Sequence, residues 1–339
     1  MKDINALGYV VVTDHIEANT GKDVSDALQE LILANPHRTI YFPDGEYVLA
    51  KPICTPADPN KSVSLMLSNY AILKAADSWD SEEAMVRLGG IDPFNSIYIL
   101  GSNYFFEGGI IDGSKKAKGI SIDSGRETRV SKVSIKNTTI GLHIKRGANN
   151  GSSDADIDNV NIVGIRQQGC IGVLVEGLDN TFTNMRIAAV QEGVRLYGGG
   201  NFLRNVHPLG GAKQEDPDYY PNSYGFREMY GGNFYDMCYS DNFAVGFEIG
   251  PNAKSLYNDC FNYWYSPAGD CQVGFRAKGK FNSIIKNAKV AFNGKSEPKF
   301  NAYIQVEEPG GTGVISFPVT SDERMEDKTY KDYLHGAVI

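Results

Sequence analysis

The feature that most constrains this chain is a repeat. From residue 180 onward one short pattern returns: Asn180-Thr-Phe-Thr-Asn-Met185, Asn201-Phe-Leu-Arg-Asn-Val206, Asn233-Phe-Tyr-Asp-Met-Cys238, Ser255-Leu-Tyr-Asn-Asp-Cys260 and Ser283-Ile-Ile-Lys-Asn-Ala288. The starts lie 21, 32, 22 and 28 residues apart. Each repeat runs on into a second segment opened by a small residue: Gly193-Val-Arg-Leu196, Gly225-Phe-Arg-Glu228, Gly246-Phe-Glu-Ile249, Gly274-Phe-Arg-Ala277 and Ala302-Tyr-Ile-Gln305. Fainter copies open at Gly119, Gly141 and Gly172. Apolar and polar residues alternate at period two, which marks strands with one buried face. A coil this short cannot bury that face alone, so coils stack at the strand spacing of about 4.8 Å. The pattern predicts an all-β solenoid, a parallel β-helix.

A solenoid end exposes unpaired strand edges and needs a cap. Ser25-Asp-Ala-Leu-Gln-Glu-Leu-Ile-Leu33 spaces its apolar residues as a helix does, and Thr39-Ile-Tyr-Phe-Pro-Asp-Gly-Glu-Tyr-Val-Leu49 reads as strand, turn and strand. The expected organisation is a single domain over 1–339. Within it, 1–50 form the N-terminal α-helical cap and first strands, 51–309 the rungs, and 310–339 a tail outside the repeat.

Composition narrows the function classes. The net charge of −8 argues against nucleic acid as the partner. No apolar run approaches the roughly 20 residues of a membrane span. The first residues lack a basic and apolar signal sequence, so the expectation is a cytoplasmic protein, or a secreted or phage protein already trimmed. Five cysteines without CxxC spacing read as free thiols, mostly buried, and five histidines show no metal spacing. No phosphate-cradling glycine loop points to an organic cofactor. Asp154-Ala-Asp-Ile-Asp158 alternates carboxylates, which leaves a divalent cation such as calcium open, although alternation at strand spacing is also how a solvated face looks.

Lys22-Asp-Val-Ser-Asp-Ala-Leu-Gln29 followed by Ile40-Tyr-Phe-Pro-Asp-Gly-Glu-Tyr47 resembles the N-terminal signature of the pectate-lyase-like right-handed parallel β-helix superfamily. With the rungs, the resemblance covers about residues 20–305. It implies a right-handed coil, an oligo- or polysaccharide partner and a homotrimer. The superfamily includes polygalacturonase-related hydrolases, phage tailspike depolymerases and fructan-processing transferases, so the reaction has to be argued from a site.

Rung arithmetic locates one. The step from rung start to small residue is 13 residues in the rungs at 180 and 233, 24 at 201, and 19 at 255 and 283. The extra residues form a long loop, Leu209–Ser223, and a shorter one, Ser266–Gln272, flanking the rung 233–252. That rung becomes the floor of a groove. Tyr219, Tyr220 and Tyr224 on the long loop offer apolar rings with polar tips for sugars, or else pack on the coil below.

Period two sets the outward columns. In the second strand they run His143, Leu174, Arg195, Arg227, Glu248, Arg276. In the first they run Thr183, Arg204, Asp236, Asn258, Lys286 and, three residues on, Arg186, His207, Tyr239, Phe261, Lys289. Asp236 and Glu248, with Asp241 as a third carboxylate, suit acid and nucleophile or base roles in glycosidic cleavage. The same columns also read as ion-pair ladders, with Arg204 beside Asp236 and Arg227 and Arg276 bracketing Glu248. Phe234-Tyr-Asp236 and Gly246-Phe-Glu248-Ile249 are similar to the acid and nucleophile strands of the inulin fructotransferase and difructose-anhydride hydrolase family, at a spacing one residue longer. This resemblance implies a glycoside hydrolase or intramolecular fructosyl transferase.

A rival reaction is β-elimination from a uronic acid polymer. Arg195, Arg227 and Arg276 would then meet the carboxylate, and His207 or Tyr239 would serve as the base. His207 alternatively anchors the long loop. A third reading is a non-catalytic glycan-binding or tailspike-like adhesin.

Overall fold

The computed structural model describes residues 8–97, 105–210, 220–264, 272–292, 300–316 and 319–320. The protein is mostly β, and its strands pair in parallel. Two compact units are distinguished, one of residues 1–165 with 176–181, the other of 166–175 with 182–339.

In the first unit, Tyr9–Val11 pairs with Thr39–Phe42, which pairs with Ser64–Leu67. Gly45–Leu49 pairs with Ala71–Ala75. Ala84–Ile91, Lys118–Ile122 and Ile140–Ile144 stack in turn. The predicted helix is present as Ser25–Ala34, burying Leu28, Leu31 and Ile32. Asp23 Oδ1 accepts from the Ser25 backbone N–H and hydroxyl at the helix start. Gln29 bonds both backbone groups of Cys54, fixing the helix to the strand Ile53–Pro56.

In the second unit the coils at 180 and 201 keep the two strands that the sequence pattern predicted, Thr181–Val190 with Glu192–Leu196 and Phe202–Gly210 with Tyr224–Glu228, whereas the coils at 233, 255 and 283 have three. The floor coil runs Phe234–Asp236, Tyr239–Asp241 and Val245–Ile249. Leu256–Asn258, Phe261–Trp264 and Gln272–Ala277 stack on these in the same order. In those three coils the expected first strand breaks at a residue in the left-handed conformation, Met237 (φ 50°), Asp259 (φ 50°) and Asn287 (φ 50°), while Asn205 (φ 52°) takes that conformation inside the continuous strand Phe202–Gly210. That corner resets the alternation. Residues 236 and 239 would face opposite sides of an unbroken strand, yet both face outward here.

The interior is built from like on like. Phe226, Phe247 and Phe275 stack at 4.6 and 4.9 Å, and Tyr235 stacks on Tyr257 at 4.5 Å. Cys238 and Cys260 are fully buried beside them, where burial raises both thiol pKa values and makes them packing groups. Cys271 lies outside the described residues. The small residue opening each third strand has a steric cause. A Cβ on Gly246 would sit 1.6 Å from Asn262 Oδ1 and 2.7 Å from the Gly274 carbonyl oxygen.

Candidate functional site

The floor coil gathers three of the predicted residues. His207 comes from the strand Phe202–Gly210, and Tyr239 and Asp241 from the neighbouring Tyr239–Asp241, with Leu209 in register with Asp241. The His207 and Tyr239 rings stack at 4.0 Å and 14°, and Phe261 stacks on Tyr239 at 4.7 Å. Both faces of Tyr239 are thus covered, so it offers an edge and a hydroxyl rather than a stacking platform. The hydroxyl donates to Asp241 Oδ2 at 3.4 Å. His207 Nε2 stands 3.6 Å from that same oxygen, just beyond hydrogen-bond range.

Two atoms of this cluster are buried without a hydrogen-bond partner: His207 Nε2 and Asp241 Oδ1. Each such group costs about 1–3 kcal/mol. Orphaned polar atoms in a native interior mark strain, an ion or water, or chemistry. Burial first, and the Asp241 charge second, push the Tyr239 hydroxyl pKa up, so it keeps its proton at neutral pH. A proton carried on Nε2, the nitrogen beside Asp241, would leave Nδ1 as the basic nitrogen of His207. The His207 side chain is 23% exposed, and the buried Nε2 is not the exposed part.

Glu248 has different company. Arg227 Nε donates to its Oε1 at 2.9 Å, Arg276 lies 3.7 Å from its Oε2, and the residue is 4% exposed. Arg227 also reaches Glu192 at 3.1 Å, and Arg195 pairs with Glu192. The predicted column Arg195, Arg227, Glu248, Arg276 is in register strand by strand, as an ion-pair ladder. Tyr224 is 7% exposed, and the Arg227 guanidinium covers its ring at 4.4 Å. Asp236 bonds Asn258 at 2.9 Å and faces Arg204 at 3.3 Å. Asp236 and Glu248 lie on strands with different neighbours and share no polar partner among the described residues. His143 bonds Glu176 at 3.1 Å. Tyr219 and most of both predicted loops lie outside the described residues, and Tyr220 opens a short 3-10 turn, Tyr220–Asn222. Asp154, one of the alternating carboxylates, pairs with Arg126 at 2.8 Å.

Sequence reading missed two neighbours. Glu192 joins the arginine ladder, signalled only by a Glu before Gly193. Phe202 and Phe234 stand in register on the outer face, 39% and 45% exposed, with ring centroids 6.2 Å apart. Their signal was a Phe at the second position of two successive rung starts. Lys286 and Lys289 close the two outward columns, Lys289 over the Phe261 ring at 5.3 Å, and no ion pair engages either lysine among the described residues.

The chain matches no protein-family model and no curated protein. Solved structures do match. ORF18 of Geobacillus virus E2 aligns with a TM-score of 0.62 at 15% identity, over 92% of this chain; this chain spans only 62% of that protein's length. DFA-IIIase from Arthrobacter chlorophenolicus A6, in complex with GF2, aligns with a TM-score of 0.57 at 9% identity, covering 95% of this chain and 96% of that one. The A-module of the mannuronan C-5 epimerase AlgE4 from Azotobacter vinelandii gives 0.55 at 14% identity, covering 98% and 99%. The chain shares the fold of these proteins, a coil of stacked parallel strands. At these identities the likeness speaks for the fold alone. It agrees with the N-terminal signature and the stacked rungs, which were legible before any comparison.

Proposed function

We propose that the protein is a carbohydrate-active enzyme that removes a proton from a uronic acid residue of a polysaccharide, with His207, Tyr239 and Asp241 as its proton-transfer centre. The observation that carries this reading is that the cluster holds two buried atoms without a hydrogen-bond partner, His207 Nε2 and Asp241 Oδ1. Asp241 orients the imidazole, and Nδ1 of His207 takes the C5 proton. The C5–H electron pair becomes the C4–C5 double bond. The C4–O bond breaks with its pair on the glycosidic oxygen, which receives the Tyr239 proton; His207 then gives the C5 proton to solvent and solvent reprotonates the tyrosine. Lys286 and Lys289, on the same columns and in no ion pair among the described residues, supply positive charge for an acidic chain. A fold neighbour named as a C-5 epimerase of mannuronan is consistent with chemistry at C5.

Glycosidic cleavage by Asp236 and Glu248 is the second reading. It is favoured by the DFA-IIIase neighbour and by the outward Asp236, and weakened by the two arginines that hold Glu248. The capping role of the helix Ser25–Ala34, the right-handed coil and a homotrimer belong to the same family-based proposal.

The test is product analysis on polygalacturonate, alginate, fructans and neutral glycans. The wild type is compared with His207→Ala, Asp236→Asn and Glu248→Gln. Elimination yields an unsaturated, ultraviolet-absorbing product, and its rate should fall about 100-fold or more in His207→Ala. Cleavage without that absorbance, lost in Asp236→Asn and Glu248→Gln, would establish hydrolysis or transfer instead. Binding without any product would support the adhesin reading.

A further inference from the structure

A cleft lies in the first unit, lined by residues that the proposed reaction does not use. Tyr41, Pro43, Asp44, Ser68, Asn69 and Tyr70 line a depression of about 540 Å³. Two successive corners build it, the turn between Thr39–Phe42 and Gly45–Leu49 and the turn between Ser64–Leu67 and Ala71–Ala75. The corners are tied together. Ser68 N–H donates to the Phe42 carbonyl at 2.9 Å, Gly45 N–H to the Tyr70 carbonyl at 3.2 Å, and the Ser68 hydroxyl to Asp44 Oδ1. The walls are therefore held in place by two backbone bonds and one bond between lining side chains, Ser68 to Asp44.

The side chains are left over. Tyr70 is 73% exposed, far more than an aromatic ring packed for stability. The Asn69 amide and the second Asp44 oxygen have no protein partner among the described residues, and the lining contains no Lys, Arg or His.

We infer that this cleft binds a neutral sugar unit, a site separate from the proton-transfer centre. A pyranose offers an apolar C–H face and adjacent hydroxyls. The exposed Tyr70 ring meets the first. Asp44 Oδ2 as acceptor, and Asn69 as donor and acceptor, meet the second. Without a cation, and with the Asp44 charge present, the cleft disfavours a uronate, so its ligand class differs from that of the proposed reaction. This inference uses none of the reacting residues and stands or falls apart from the elimination reading.

The test is saturation-transfer NMR and calorimetry on the whole chain with maltotriose, cellotriose and mannotriose, and trigalacturonate as the acidic control. At least one neutral trisaccharide should bind, roughly tenfold more weakly in Tyr70→Ala, and unchanged in His207→Ala. Asn69→Ala, at another exposed position, should weaken it independently. Absence of binding by all three neutral probes overturns the inference, as does binding that Tyr70→Ala leaves intact. Binding lost in His207→Ala but kept in Tyr70→Ala also overturns it, by placing the sugar at the other centre.

Discussion

Single residues here carry strain and charge whose effects can be measured. Met237 holds the left-handed corner of the floor coil, a conformation that Asn, Asp and Gly adopt at lower cost than a longer side chain. Its side chain is 46% exposed, so little packing is lost on replacement. Met237→Asn should stabilise the protein by about 1 kcal/mol, read as a higher urea midpoint at unchanged slope. Glu228 is a buried carboxyl, 1% exposed, that accepts from Asn233, Ser255 and Tyr257. Burial outweighs these bonds and pushes its pKa up to about 7. A folded-state pKa above the unfolded one means the folded chain holds the proton more tightly. Glu228 therefore contributes most below pH about 4.5, and that contribution is lost as pH rises through about 7. Denaturation across this window should show a slope that Glu228→Gln flattens, on the order of 3 kcal/mol in all.

At the level of strands and corners, close approach decides what is tolerated. Gly246→Ala drives a Cβ into Asn262 Oδ1 and the Gly274 carbonyl and should destabilise by about 2 kcal/mol or more. Gly147→Ala meets nothing within 4 Å and should leave the urea midpoint nearly unchanged. The small residue at this position was legible in the sequence because it recurs once per rung. So were the outward columns, since period two and the repeat fix register together. The left-handed corner was not legible: Asn205 and Asn287 are ordinary turn formers, and Met237 carries no turn signal at all. Nor was the meeting of His207 with Asp241. They lie 34 residues apart across the most variable loop, and only the stacked register brings them side by side. The pairing of Asp236 with Glu248 on one rung was inferred from order along the chain. The extra corner puts them on strands with different neighbours.

The whole molecule offers its own reporters. The chain has two tryptophans, and both are buried: Trp79 in the first unit, bonded to the Ser81 carbonyl, and Trp264 in the second, bonded to the Phe243 carbonyl at 2.6 Å. If 1–339 is one cooperative domain, as the unbroken repeat suggests, Trp79→Phe and Trp264→Phe should each report a single fluorescence transition coincident with that seen by circular dichroism. Two separated midpoints would assign the units independent stabilities. The columns have one more consequence. Within a unit, a whole coil added or removed leaves every column's facing intact, whereas one residue added inside a strand turns its buried face to solvent. Length in this molecule is quantised by the coil, and only the loops at its corners can vary residue by residue.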